Sequence, residues 1–192
     1  LDTNANLRFA KRVKPLLGIS FGQQGYVLTI LPQVENEVHQ SAKLRFQFPW
    51  FDNVEIAQER LAKRIKLSQQ EKDQLAAASS ILRAHVLDDV TRFSAQRRSP
   101  PSPTDCEILA FGQVRSAIVV TDDLGMHLLA KDFDIRIWHA FELLKKMQSA
   151  KLIGSEKVRE IYEALETNND LDQAWREAKH TLFKKIFGQA QK

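Results

Sequence analysis

The chain has 192 residues, 43% of them apolar and 27% charged, which is enough for one soluble domain with a sizeable core and a helical appendage. Its apolar runs are far too short to span a bilayer, so no membrane role is expected. The lone Cys106 excludes a disulfide framework or a cysteine metal cluster and suits a reducing cytoplasm, while a net charge of +4 permits an anionic partner such as nucleic acid without demanding one.

The first residue is Leu1 rather than Met, and a missing upstream piece is expected. Leu1-Asp2-Thr3-Asn4 precedes a helical pattern with Phe9, Val13, Leu16 and Leu17 on one face and Arg8, Lys11, Arg12 and Lys14 off it. Taken alone, Asp2 reads as an N-cap carboxylate. Residues 18–25 read as a loop and residues 26–30 as a strand. Pro32 opens a helix buried along Val34 and Val38, and Glu35 and Glu37 flank that stripe about equally. Residues 44–51 hold Phe46, Phe48, Trp50 and Phe51, read as a satellite core, with base stacking or partner binding as the alternative. Val54, Ala57, Leu61 and Ile65 mark a helix with Arg60, Lys63, Arg64 and Lys66 outward. Ser68 with Glu71 forms a capping box that opens a long amphipathic helix through Leu75, Ala78, Leu82, Val86, Val90 and Phe93. Arg92, Arg97 and Arg98 lead into a hinge of Pro100, Pro101 and Pro103, where they are candidates for holding RNA phosphates.

Thr104 with Glu107 predicts a second capping box and places Asp105 in the first turn of a helix. Residues 117–120 are apolar and β-branched, which predicts a buried strand ending at Thr121. Asp122 and Asp123 follow at once. In a parallel sheet, ligands collect at the carboxyl ends of strands, so both carboxylates fall where a site is expected, within reach of Asp105. A short helix with Met126 and Leu129, a strand over 134–139 and a helix from Phe141 come next. Ser155 caps another helix, Asn168-Asn169 breaks it, and a last helix carries Leu171, Trp175, Ala178, Leu182 and Ile186 and ends near Gly188. The alternation of helix and strand predicts an α/β fold with a parallel sheet. No internal repeat and no G-x-x-x-x-G-K-[ST] loop is present, and the histidines lie near no convincing nucleophile.

Four segments, in order, resemble the PIN-domain family of metal-dependent ribonucleases: Leu1-Asp2-Thr3-Asn4, Pro32-Gln33-Val34-Glu35-Asn36-Glu37-Val38, Thr104-Asp105-Cys106-Glu107-Ile108-Leu109-Ala110, and Val119-Val120-Thr121-Asp122-Asp123. The resemblance implies a PIN-like three-layer α/β fold, a central parallel sheet flanked by helices. It implies a nuclease domain over 1–150 with an extended helical insert over 44–100, and a C-terminal helical extension over 151–192 packed on that domain. The activity implied is that of a divalent-metal-dependent endoribonuclease, with Mg²⁺ or Mn²⁺ bound by Asp2, Glu37, Asp105 and Asp123 as catalytic ligands. Asp122 is an auxiliary ligand, and Thr3 and Thr121 support them. The family pattern favours Glu37 over Glu35 and Asp123 over Asp122. Such carboxylates repel one another until a hard cation joins them, and the cation then activates a water. The resemblance further implies a toxin of a toxin–antitoxin pair, with RNA as substrate, an antitoxin protein as partner and a homodimer as the assembly. The alternative is a nucleic-acid-binding or scaffolding PIN-like protein whose acidic site has decayed. A phosphatase with an Asp nucleophile is disfavoured, because Asn4 stands where its second Asp would be.

Overall fold

Helices dominate the computed structural model, which describes residues 1–95 and 98–189. In chain order they begin with α1 (Thr3–Ala10), a hairpin of β1 (Ser20–Phe21) and β2 (Tyr26–Val27), α2 (Pro32–Gln40), α3 (Ala42–Gln47), a 3-10 turn (Pro49–Asp52) and α4 (Val54–Ala62). Then come α5 (Gln69–Asp88), α6 (Val90–Phe93), α7 (Pro103–Val114), β3 (Val119–Val120), α8 (Leu124–Asp132) and β4 (Ile137–Trp138). The chain closes with α9 (Ala140–Ser149), α10 (Ser155–Thr167), α11 (Gln173–Thr181) and α12 (Lys184–Phe187). No helix among the described residues is long and apolar enough to cross a membrane.

The expected PIN-like three-layer α/β fold does not form. Among the described residues the strands are four two-residue pieces in two separate sheets, β1 antiparallel to β2 and β3 parallel to β4. The physical reason is how little of each apolar run joins a ladder. Of residues 26–30 only Tyr26 and Val27 pair, while Leu28 and Ile30 are buried by side-chain packing. Of residues 117–120 only Val119 and Val120 pair, opposite Ile137 and Trp138. β-branched residues favour a pleated, half-buried surface, but they build a sheet only where partner strands extend beside them. Without a central parallel sheet, the strand-end argument for a site at Asp122 and Asp123 loses its premise.

The main packing is α5 along α7. α5 begins at the expected capping box: the Glu71 N–H donates to the Ser68 hydroxyl at 3.2 Å, and the Ser68 N–H donates to the Glu71 carboxylate at 2.8 Å. Its buried positions are Leu75, Leu82 and Val86, and it stops at Asp88 rather than running on to Phe93. α7 buries Cys106, Ile108, Leu109, Ala110, Phe111 and Gly112, so it is enclosed on several sides. Its capping box joins Ser102 and Asp105, not Thr104 and Glu107, because Pro103 occupies the first helical position, where its fixed φ and missing N–H cost nothing.

Gly112 lets α7 approach β3. A Cβ there would stand 2.6 Å from Val119 Cγ2 and 3.2 Å from Ile135 Cγ2, and Val119 is held in one rotamer by its branching. Gly112→Ala is expected to destabilise the protein by about 1–2 kcal/mol, the overpacking cost outweighing the gain in helix propensity. Urea unfolding checks this, and a variant as stable as the parent refutes the close-packing account.

Two side clusters complete the core. Leu7, Val38 and Phe51 form a satellite with Leu44, Phe48 and Trp50 packed on it, as expected, although Phe46 is 88% exposed and takes no part. At the C-terminal end Tyr162, Trp175 and Phe183 are buried and meet edge to face, with ring centroids 5.3 Å apart for Tyr162 and Trp175 and 5.5 Å for Tyr162 and Phe183.

Candidate functional site

Each catalytic carboxylate of the expected metal centre is hydrogen-bonded within the chain, three of them to the backbone at a helix start. Asp2 is the N-cap of α1, where Oδ1 accepts from the Ala5 N–H at 2.6 Å and Oδ2 accepts from the Thr121 hydroxyl at 2.5 Å. Asp123 is the N-cap of α8 and accepts from the Met126 N–H at 2.8 Å. Asp105 accepts from the Ser102 N–H at 2.7 Å. Glu37 accepts from the Thr3 hydroxyl at 2.5 Å. Helix starts leave backbone N–H groups unsatisfied, and short acidic side chains are the usual acceptors for them.

Among the described residues, no group of three or more His, Cys, Asp or Glu side chains could hold a metal ion. The expected Mg²⁺ or Mn²⁺ cofactor, the metal-dependent ribonuclease activity and PIN-domain membership are therefore corrected: the donor set that two-metal hydrolysis needs is not assembled. The decayed-PIN alternative falls with the fold. Burial pushes the Cys106 thiol up to about 11, aided by Asp105, so it is held as an inert thiol rather than a nucleophile.

The acidic residues still influence one another. Burial raises the Asp105 carboxyl above its ordinary range, and the charges of Asp123 and Glu37 add to that against the Ser102 hydrogen bonds. Burial likewise raises Asp2 to about 6, against the Thr121 and Ala5 hydrogen bonds. Asp122 differs. Burial would raise it, but His139, Arg8, the Trp175 indole and the Ala140 N–H together hold it below the usual carboxylate range. Trp175 Nε1 donates at 2.8 Å, Ala140 N at 2.9 Å and Arg8 through Nη1. Asp122 thus joins α1, α9 and α11 and is a structural junction. Glu35 pairs with Arg64 at 2.9 Å, while Glu37 takes its hydrogen bond from Thr3.

Two basic residues of the proline hinge are engaged within the chain. Arg92 makes a bidentate pair with Asp132 at 2.6 and 2.8 Å. Arg98 donates to the Arg92 carbonyl at 3.5 Å, and Arg97 lies outside the described residues.

A second set of residues comes together instead. A groove of about 640 Å³ runs between α1, the α3–3-10 segment and the end of α10. Arg8, Lys11, Arg12 and Lys43 line it beside Phe48 and Trp50, with Asn4, Gln47, Asn168 and Asn169 supplying amides. Arg8 is neutralised by Asp122 and Asp170, and Arg12 stands 4.0 Å from Glu160. Lys11 and Lys43 are exposed and pair with no carboxylate among the described residues. Phe46 lies three residues after Lys43, on the same side of α3. Lys43 carried no weight in the sequence. The interleaving of Lys43, Arg45 and Phe46 within one short helix was the available signal.

No family model, no curated protein and no solved structure matches this chain.

Proposed function

We propose that the chain is a binding module for single-stranded nucleic acid, with RNA the ligand to test first. One observation carries the reading: the groove of Lys11, Arg12 and Lys43 set against Phe48 and Trp50. Non-specific single-strand binders combine cations that follow the phosphates with aromatic rings on which bases stack. Lys11 and Lys43 supply charge that no neighbouring carboxylate cancels. Trp50 and Phe48 are half-buried, so their rings are held by the satellite core and present an edge or face without loss of side-chain freedom on binding. The amides of Asn4, Gln47 and Asn168 offer both donors and acceptors to base edges.

The test is fluorescence anisotropy of a labelled single-stranded RNA across a salt series. Binding is expected to weaken as salt rises, with a slope of about 0.7 per phosphate contacted. Lys11→Glu with Lys43→Glu is expected to weaken binding at least about tenfold at low salt, since both charges are exposed and dispensable to the core. Salt-independent binding, or a double variant that binds like the parent, refutes the reading.

A further inference from the structure

One arginine of the basic groove has its best phosphate-binding edge already filled. Arg8 of α1 is held by three contacts. The buried Asp122 accepts from Nη1, and the Trp175 ring centre lies 5.6 Å from the guanidinium carbon. The remaining edge, Nε and Nη2, donates to the two carboxylate oxygens of Asp170 at 2.9 and 3.0 Å, a bidentate fork. Arg8 and Asp170 both line the groove. The two carboxylates on this arginine are unequal. Asp122 also accepts from His139, the Trp175 indole and the Ala140 N–H. The Asp170 carboxylate is half exposed and has no partner besides Arg8 among the described residues.

We infer that this edge of Arg8 is a further phosphate contact of the groove, and that Asp170 fills it in the free protein until a ligand phosphate takes its place. The inference rests on the nucleic-acid reading of the groove. Carboxylate and phosphate offer a guanidinium the same pair of acceptor oxygens, so one replaces the other without moving the arginine. Arg8 stays in position when Asp170 leaves, because Asp122 and Trp175 still hold it. The phosphate therefore meets donors that are already ordered. Asp170 is the exchangeable partner, since an ion pair with a half-exposed carboxylate contributes little. Only its short side chain has to swing. The backbone is fixed by the Asp170 N–H, which donates to the Leu165 carbonyl at 2.8 Å, and by Asn169 in the left-handed region at a φ of 52°. Arg8 stands three and four residues before Lys11 and Arg12, so one strand of phosphates can meet all three along α1. While Asp170 remains, its charge opposes that strand, and the groove of the free protein is partly shut.

The probe is a fluorescein-labelled oligouridylate titrated with the full chain across a salt series and read by anisotropy. Asp170→Ala empties the edge of Arg8 and leaves Asp122 in place. It is expected to bind about fivefold more tightly at low salt, with a salt slope steeper by about 0.7, the value of one added phosphate contact. Glu163→Gln is the control for net charge. It removes one negative charge from an exposed position of α10 that does not line the groove. It is expected to change affinity by less than about twofold and to leave the slope alone. A parent that binds with salt dependence, beside an Asp170→Ala variant that matches it in affinity or in slope, overturns the inference and leaves the groove reading standing. So does an equal gain in Glu163→Gln, which would make the effect one of net charge. Binding by neither the parent nor Asp170→Ala overturns both. Binding by Asp170→Ala alone supports the inference, since Asp170 would then be what keeps the groove shut.

Discussion

Asp122→Ala is expected to destabilise the protein by about 3–5 kcal/mol, because it removes a buried carboxylate from its pair with Arg8 and leaves two buried N–H donors without their acceptor. The carboxylate is only 9% exposed and Arg8 only 10%. Without it, Arg8 keeps its pair with Asp170, but the Trp175 indole N–H and the Ala140 N–H lose their acceptor, and each buried donor so orphaned adds to the cost. For a chain of this length the loss corresponds to a midpoint about 10 °C lower, at about 2–4 °C per kcal/mol. The control is Asp170→Ala. Asp170 binds the same arginine but is half exposed, and surface pairs of that kind contribute about 0–1 kcal/mol. Thermal unfolding of the two variants decides the matter: equal midpoints would mean that Asp122 is not the junction of α1, α9 and α11.

The same site has a pH signature with two opposite signs. Asp122 titrates below its ordinary range, so its contribution is present above the unfolded-state value and is lost as pH falls through the folded one. His139 is raised, first by its hydrogen bond to Asp122, so its contribution is complete below the unfolded-state value and is lost as pH rises through the folded one. The pair is therefore strongest on the mildly acid side of neutrality.

Asp2 produces the second large effect. Its carboxyl is raised from 3.8 to about 6 by burial, and the nearby Asp122 charge adds to this. A raised carboxyl favours the fold below the unfolded-state value, and that contribution disappears as pH climbs through about 6. Asp105 is shifted in the same direction and adds to the trend. At about 1.4 kcal/mol per unit, Asp2 alone imposes up to about 3 kcal/mol at pH 7.5 relative to acid conditions. Asp2→Asn removes the titration and keeps an N-cap side chain of equal quality. Relative to the parent, the variant is expected to gain about 2–3 kcal/mol in stability between pH 4 and pH 7.5, read from urea unfolding at each pH. Parallel profiles for parent and variant would show that Asp2 is not held in the raised state.

The resemblance to a metal nuclease failed for a reason visible in the residues. Three of its four motifs place a short acidic residue beside a helix start, and Glu37 of the second lies in the latter half of α2. Asp2, Asp105 and Asp123 stand at such starts, and a carboxylate there accepts backbone N–H groups whether or not a metal is near. Spacing along the chain therefore did not separate a ligand from a cap. For Asp2 the local reading, an N-cap, was the correct one. In the basic hinge Arg92 pairs with Asp132, forty residues away, which no local pattern foretells.

What the sequence determined by itself was local. The Ser68–Glu71 box, the helix opened by Pro32 and the break at Asn168-Asn169 all appear as read, since each depends on groups within one helical turn. Buried faces such as Leu75, Leu82 and Val86 were equally legible from periodicity. Tertiary structure alone decided which apolar runs became strands, because a ladder needs a partner from elsewhere in the chain. It also decided the surface proposed for binding. The basic groove draws on residues 4–12, 43–50 and 161–170. Their lysines, arginines and aromatic rings look like ordinary solvated or satellite positions until folding sets them side by side, and the charges that remain uncancelled are known only once every ion pair has been made.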